Sequence, residues 1–129
     1  MYEQKKKAGY WRIREILGDS SLIDSDRIKS GGGFVYSVYL GEEFTESDID
    51  SLDLSVRASN CLKRAGIYTV GDLCKRVDRS SDLKSIRNCG HTSIIEIMDK
   101  LFYYNYICMQ PEKRAEYIEE TIKRNTIQQ

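Results

Sequence analysis

The sequence is poor in residues that stop or staple a chain. It has one proline (Pro111), one histidine (His91) and one tryptophan (Trp11). A single histidine excludes a histidine-rich metal site. The four cysteines, Cys61, Cys74, Cys89 and Cys108, lie 13, 15 and 19 positions apart. No two have the close spacing that zinc takes from a local pair, and neither a metal nor a cofactor is expected. They read as reduced, mostly packed thiols of a cytoplasmic protein. No apolar run approaches the ~18 residues of a membrane span, and the longest, Phe34 to Leu40, is broken by Ser37. After Lys5-Lys6-Lys7 the N-terminus turns polar, without a signal-peptide core. Net charge is missing too: 20 Lys+Arg balance 20 Asp+Glu, so the total names no partner. What is present is 129 residues, 40% hydrophobic and 31% charged, as expected of one folded domain with an appendage.

Zero net charge hides a gradient. Residues 1–53 carry 7 basic and 11 acidic side chains, net −4; residues 54–105 carry 9 and 5, net +4; residues 106–129 carry 4 of each. The acidic excess is concentrated in Glu42, Glu43, Glu46, Asp48, Asp50 and Asp53. A basic middle is where nucleic acid would bind, although a solvated surface accounts for +4 equally well.

Hydrophobic periodicity predicts a mainly helical chain. Residues 2–17 read as a helix, with Tyr10, Ile13 and Leu17 on one face and Gly18 as its stop. Phe34 to Leu40 is rich in aromatic and β-branched residues and reads as a strand, paired in a hairpin through Gly31-Gly32-Gly33. The glycines lack the Gly-Lys-Ser/Thr that a phosphate loop needs. Ser55 caps a helix running to about Arg64, with Val56, Leu62 and Ala65 inward. A second helix starts at Thr69 or Val70, carries Leu73 and ends near Val77; Leu83 and Ile86 mark a short third element. A long helix from about His91 to about Tyr104 turns Ile94, Ile97, Met98 and Leu101 inward. Pro111 suits the first turn of a last helix, whose stripe of Ala115, Ile118 and Ile122 docks it on the domain.

Two junctions share one layout. Leu62-Lys63-Arg64-Ala65-Gly66-Ile67-Tyr68-Thr69-Val70-Gly71-Asp72-Leu73 and Leu83-Lys84-Ser85-Ile86-Arg87-Asn88-Cys89-Gly90-His91-Thr92-Ser93-Ile94 each join two helices through a glycine turn. These are outlines of helix-hairpin-helix units. The glycine admits a phosphate to backbone N–H groups, and the new helix adds the positive end of its dipole. Gly90 is the better of the two sites, because Thr92 and Ser93 add hydroxyls. Arg57, Asn60 and Lys63 sit three residues apart on the preceding capped helix. Arginine with asparagine suits the acceptors and the negative potential of an A·T minor groove. Taken alone, the trio is also an ordinary polar helix face.

At these residues the sequence closely resembles a known family. Leu52-Asp53-Leu54-Ser55-Val56-Arg57-Ala58-Ser59-Asn60-Cys61-Leu62-Lys63-Arg64-Ala65-Gly66-Ile67, Val70-Gly71-Asp72-Leu73 and Ile86-Arg87-Asn88-Cys89-Gly90-His91-Thr92-Ser93-Ile94-Ile95-Glu96-Ile97 resemble the C-terminal domain of the bacterial RNA polymerase α subunit. The resemblance covers roughly residues 50–103. It implies a compact tandem helix-hairpin-helix domain at 51–105. Around it stand an N-terminal piece at 1–50 (helix, possible β-hairpin and acidic linker) and a C-terminal helix at 106–129. It further implies binding to the minor groove of AT-rich double-stranded DNA, and contact with sigma factor, activators or polymerase components, without catalysis. Arg57, Asn60, Lys63, Asn88, Gly90, Thr92 and Ser93 would form the DNA surface, with Glu96 beside it as a protein contact. Two departures stand out. His91 and Thr92 occupy positions where the family usually has lysines, which implies weaker and less salt-sensitive binding. The first fifty residues are also too few for the polymerase assembly domain, so a complete α subunit is not expected.

Two other readings stay open on the residues alone. One is a protein-interaction module that keeps the fold without useful DNA affinity. The other is a nuclease or glycosylase, for which only the acidic stretch 42–53 offers carboxylates. That stretch reads as a plain linker, a contact for a basic partner, or a shield over the DNA face.

Overall fold

A computed structural model describes residues 15–16, 36–76, 86 and 89–125. Residues 15–16 are helical. The other elements are α1 (Glu42–Thr45), a 3-10 helix (Ile49–Leu52), α2 (Val56–Arg64), α3 (Val70–Arg76), α4 (His91–Cys108) and α5 (Pro111–Asn125). The mainly helical class is as expected. The remainder of the N-terminal helix, the glycine hairpin, Leu83, Val77 and Asn88 lie outside the described residues.

Local chemistry sets where α2 starts and stops. Ser55 is its N-cap and Oγ accepts from Ala58 N at 3.2 Å. At the other end Gly66 adopts φ 82°, a left-handed conformation that favours glycine. Gly66 N donates to Lys63 O and Ile67 N to Leu62 O, each at 3.0 Å, closing the helix in a Schellman turn with Ile67 buried behind it. Thr69 and Asp72 then cap α3 reciprocally. Asp72 N donates to Thr69 Oγ1 at 3.0 Å, while Asp72 Oδ2 accepts from Tyr68 N and Thr69 N at 3.1 and 3.2 Å.

The acidic stretch is not a plain linker, which corrects the first of its three readings. Ile49 and Leu52 are buried, and Ile49 N and Val70 N bond to Tyr68 O and Ser47 O. Asp48 faces Thr69 in a one-residue antiparallel bridge. α1 lies so close to α3 that a Cβ added to Gly71 would stand 2.9 Å from Thr45 O. Its Phe44 ring meets Tyr104 of α4 edge-on at 6.4 Å.

α4 is the central element. Its 18 residues span about 27 Å. The expected inward set Ile94, Ile97, Met98 and Leu101 is buried, joined by Phe102. It runs past Tyr104 to Cys108, where Arg114 of α5 takes over its last carbonyls. Arg114 Nε and Nη2 donate to Tyr106 O and Ile107 O at 3.1 and 3.0 Å, with the guanidinium over the Tyr106 ring.

Three expectations need correction. Residues 36–40 form no strand ladder. The segment bonds to helix side chains instead: Tyr39 N donates to Asn105 Oδ1 at 2.7 Å, and Ser37 O accepts from Tyr117 OH at 2.6 Å. Val56 is 76% exposed rather than inward, because Ala58, Cys61 and Leu62 define the buried face of α2 and Val56 lies well round from it. α5 docks as expected, but through Tyr117 and Thr121, while Ala115 is exposed and Ile118 and Ile122 are half-buried. The Tyr117 ring stacks on Phe102 at 5.7 Å, and Tyr36 meets Phe102 from another side at 5.2 Å.

Candidate nucleic-acid interface

The two elements expected to grip DNA are clamped together by one carboxylate. Glu96, in the second turn of α4, accepts from Ser55 N with one oxygen and from Ser55 Oγ with the other, at 2.8 Å. Ser55 begins α2 and Arg57 follows two residues later. Glu96 stands six residues from Gly90, about 9 Å along the helix. The start of α2 therefore lies at the N-terminal end of α4.

Arg57 and Asn60 are exposed and have no ion pair or side-chain hydrogen bond among the described residues. An exposed arginine beside an exposed amide, on a helix anchored by its opposite face, is free to enter a groove. Lys63 differs. It is half-buried, and Nζ lies 3.2 Å from Asp50 Oδ2. Asp50 also accepts from Ser59 Oγ at 2.8 Å. These bonds, Ser59 first and Lys63 next, hold the Asp50 carboxyl below its ordinary range.

At the tip, Gly90 is the N-cap of α4 with φ −73° and ψ 171°, and the helix start has no side-chain cap. Ile94 N makes the first helical bond, to Gly90 O at 3.0 Å, so the N–H groups of residues 91–93 precede the ladder. A Cβ added at Gly90 would meet nothing within 4 Å. Its conformation is open to any residue, so folding alone does not demand glycine there. Thr92 is exposed, whereas Ser93 is buried at 2% exposure. Of the two hydroxyls expected at the tip, only that of Thr92 meets solvent. Asn88 and the His91 side chain lie outside the described residues.

None of the four cysteines is in a disulfide, and Cys61 and Cys89 are buried. Burial, with the neighbouring Cys61 thiol, pushes Cys89 up to about 12. Among the described residues no group of three or more His, Cys, Asp or Glu could hold a metal ion, and no helix is long and apolar enough to cross a membrane. Sequence reasoning missed the Asp50–Lys63 pair and the clamp made by Glu96. Neither has a local signature, since the partners are 13 and 41 residues apart.

Residues 40–102 match the family model for the C-terminal domain of the bacterial RNA polymerase alpha subunit. A DNA-directed RNA polymerase subunit alpha of Carboxydothermus hydrogenoformans is 48% identical over 60 residues, covering 46% of this chain and 18% of the relative. That of Cutibacterium acnes is 43% identical over 82 residues, covering 61% and 22%. That of Clostridium botulinum is 50% identical over 60 residues, covering 46% and 18%. The aligned part thus spans between 18% and 22% of the length of these relatives. No solved structure matches it. The matched segment holds α2 with its Schellman exit, the reciprocal cap of α3 and the tip at Gly90; residues 40–102 form a domain like the C-terminal domain of the RNA polymerase alpha subunit.

Proposed function

We propose that this protein is a non-catalytic, cytoplasmic DNA-binding module acting in transcription. Its target is the minor groove of AT-rich duplex DNA. Arg57 enters the groove with Asn60 beside it. The backbone N–H groups at the start of α4, with the Thr92 hydroxyl, hold a phosphate at Gly90. The observation that carries this reading is the Glu96–Ser55 clamp, which sets the arginine-bearing helix beside the open helix start. Gly90 is compatible with it, since a Cβ there would meet nothing within 4 Å and the backbone is open to an approaching phosphate. Asn88, beside the tip in sequence, completes the proposed surface. Sigma factor, an activator or polymerase components are the proposed protein partners; no membrane is involved.

The test is a titration of labelled AT-rich and GC-rich duplexes at two salt concentrations. Wild-type protein is expected to prefer the AT-rich duplex. Arg57→Ala should lose about 1–3 kcal/mol of binding free energy. Equal affinity of wild type and Arg57→Ala rejects the reading.

One observation favours a second reading. Lys63 is already paired with Asp50, and the acidic segment 42–53 is built onto the same domain. A module that keeps the fold but contacts a transcription protein instead of DNA has no need of a free cation there. It predicts no binding to either duplex, and retention on immobilised sigma factor or activator.

A further inference from the structure

We propose that Asp50 is a built-in competitor for Lys63: its carboxylate occupies a lysine on the DNA-binding face that would otherwise bind backbone phosphate. The inference rests on the reading that the α2 face contacts DNA.

The ion pair is between positioned groups. Asp50 lies in the first turn of the 3-10 helix and its backbone N donates to Asp48 Oδ1 at 2.7 Å. Buried Ile49 and Leu52 root that helix in the core on either side of it. Lys100 Nζ binds Asp53 O at 2.9 Å and ties the far end to α4. Ser59, buried and one helical turn before Lys63, fixes the Asp50 carboxylate from the α2 side. Lys63 therefore meets a carboxylate that is already oriented, and only the lysine is ordered to make the pair. The side chains are 39% and 59% exposed, so water screens the contact and keeps it exchangeable. A phosphate arriving at α2 must displace Asp50, and the displaced carboxylate remains within reach and repels it. In this state Lys63 releases no counterion when DNA binds, so it adds nothing to the salt dependence.

The experiment is a double-mutant cycle on the 129-residue chain: wild type, Asp50→Asn, Lys63→Ala and the double variant, with Arg57→Ala alongside. Fluorescence anisotropy with one AT-rich duplex is read across a salt series. Asparagine can still accept from Ser59 Oγ, and circular dichroism melts confirm that each variant is folded; Asp50→Ser serves if Asp50→Asn is not. Asp50→Asn should tighten binding about two- to fivefold at low salt. It should also steepen the dependence of log affinity on log salt by about 0.9 units, as one more phosphate contact would. Lys63→Ala alone should change little, and in the Lys63→Ala background Asp50→Asn should keep only the smaller gain of removing an anion near a polyanion, without the steeper salt slope. An equal gain in both backgrounds overturns the proposal, because Asp50 would then act as a general repulsive charge. So does an unchanged affinity and slope for Asp50→Asn. If wild type binds no DNA, or Arg57→Ala binds as well as wild type, the underlying reading fails first and the competitor role goes with it.

Discussion

Replacing Glu96 by alanine tests whether the candidate interface is assembled by a single clamp. Glu96 receives two hydrogen bonds from Ser55, one from a backbone N–H and one from the hydroxyl that caps α2. Bonds to a charged acceptor are worth about 1.5–3 kcal/mol when shielded from water. Ser55 is exposed and Glu96 half-buried, so water recovers part of that value. A loss of about 1–2 kcal/mol is expected. For a protein of this length it corresponds to a fall in Tm of about 4–10 °C. The DNA readout has an independent sign. Removing an anion near a polyanion by itself tightens binding, whereas freeing the start of α2 from α4 weakens it. If the clamp sets the geometry, Glu96→Ala binds the AT-rich duplex more weakly than wild type. Its salt slope is unchanged, since no phosphate-binding cation is removed. Thermal melts by circular dichroism and duplex titrations at several salt concentrations measure both. A variant that melts with wild type, or binds DNA more tightly, refutes the clamp.

Two further outcomes follow from packing and from charge. Gly71→Ala places a methyl 2.9 Å from Thr45 O and 3.2 Å from Thr45 Cβ. Overpacking of about 1–3 kcal/mol is only partly offset by the better helix propensity, so a net destabilisation of about 1–2 kcal/mol is expected in urea unfolding. The carboxyls of Asp72 and Asp50 are held below their ordinary value, Asp72 by the N–H groups of Tyr68 and Thr69 and Asp50 by the Ser59 hydroxyl and Lys63. Their folded-state values are depressed, so their stabilisation is complete above the unfolded value of about 3.9 and is lost as pH falls through the folded one. Melts between pH 5 and pH 2 should show a steeper loss for wild type than for Asp72→Asn; parallel curves would contradict this.

The long helix is legible in the sequence because its inward residues are aliphatic and keep the helical period from Ile94 to Leu101. Ser55, Gly66 and Pro111 are legible as caps and first-turn residues because their roles depend on local backbone chemistry. Val56 is misplaced when hydrophobicity is weighed above phase. Counted from Leu62 at 100° per residue, Ala58 and Cys61 lie about 40° and about 100° round to one side, whereas position 56 lies about 120° round to the other. The stripe of α5 escapes for the converse reason. Tyr117 and Thr121 look polar, yet the tyrosine ring stacks on Phe102 while its hydroxyl donates to Ser37 O, and Thr121 Oγ1 donates to Tyr117 O. Burial pushes the Tyr117 hydroxyl well above its ordinary range. The acidic segment is unreadable in isolation because what folds it, contact with Tyr68, Gly71 and Lys100, comes from elsewhere in the sequence.

Ser37 is a knot where three parts of the protein meet. Its carbonyl receives Tyr117 OH and Asn105 Nδ2, and its hydroxyl receives Arg124 Nη1 at 2.7 Å. Residues 36–40 and α5 flank the family-like segment on opposite sides in sequence, yet they share these bonds and cover the same phenylalanine, Phe102. Peeling away either flank uncovers that ring and deprives the other of its partners. The two flanks are therefore expected to come loose together, as one cooperative unit, while the clamp at Glu96 holds the opposite end of α4 shut.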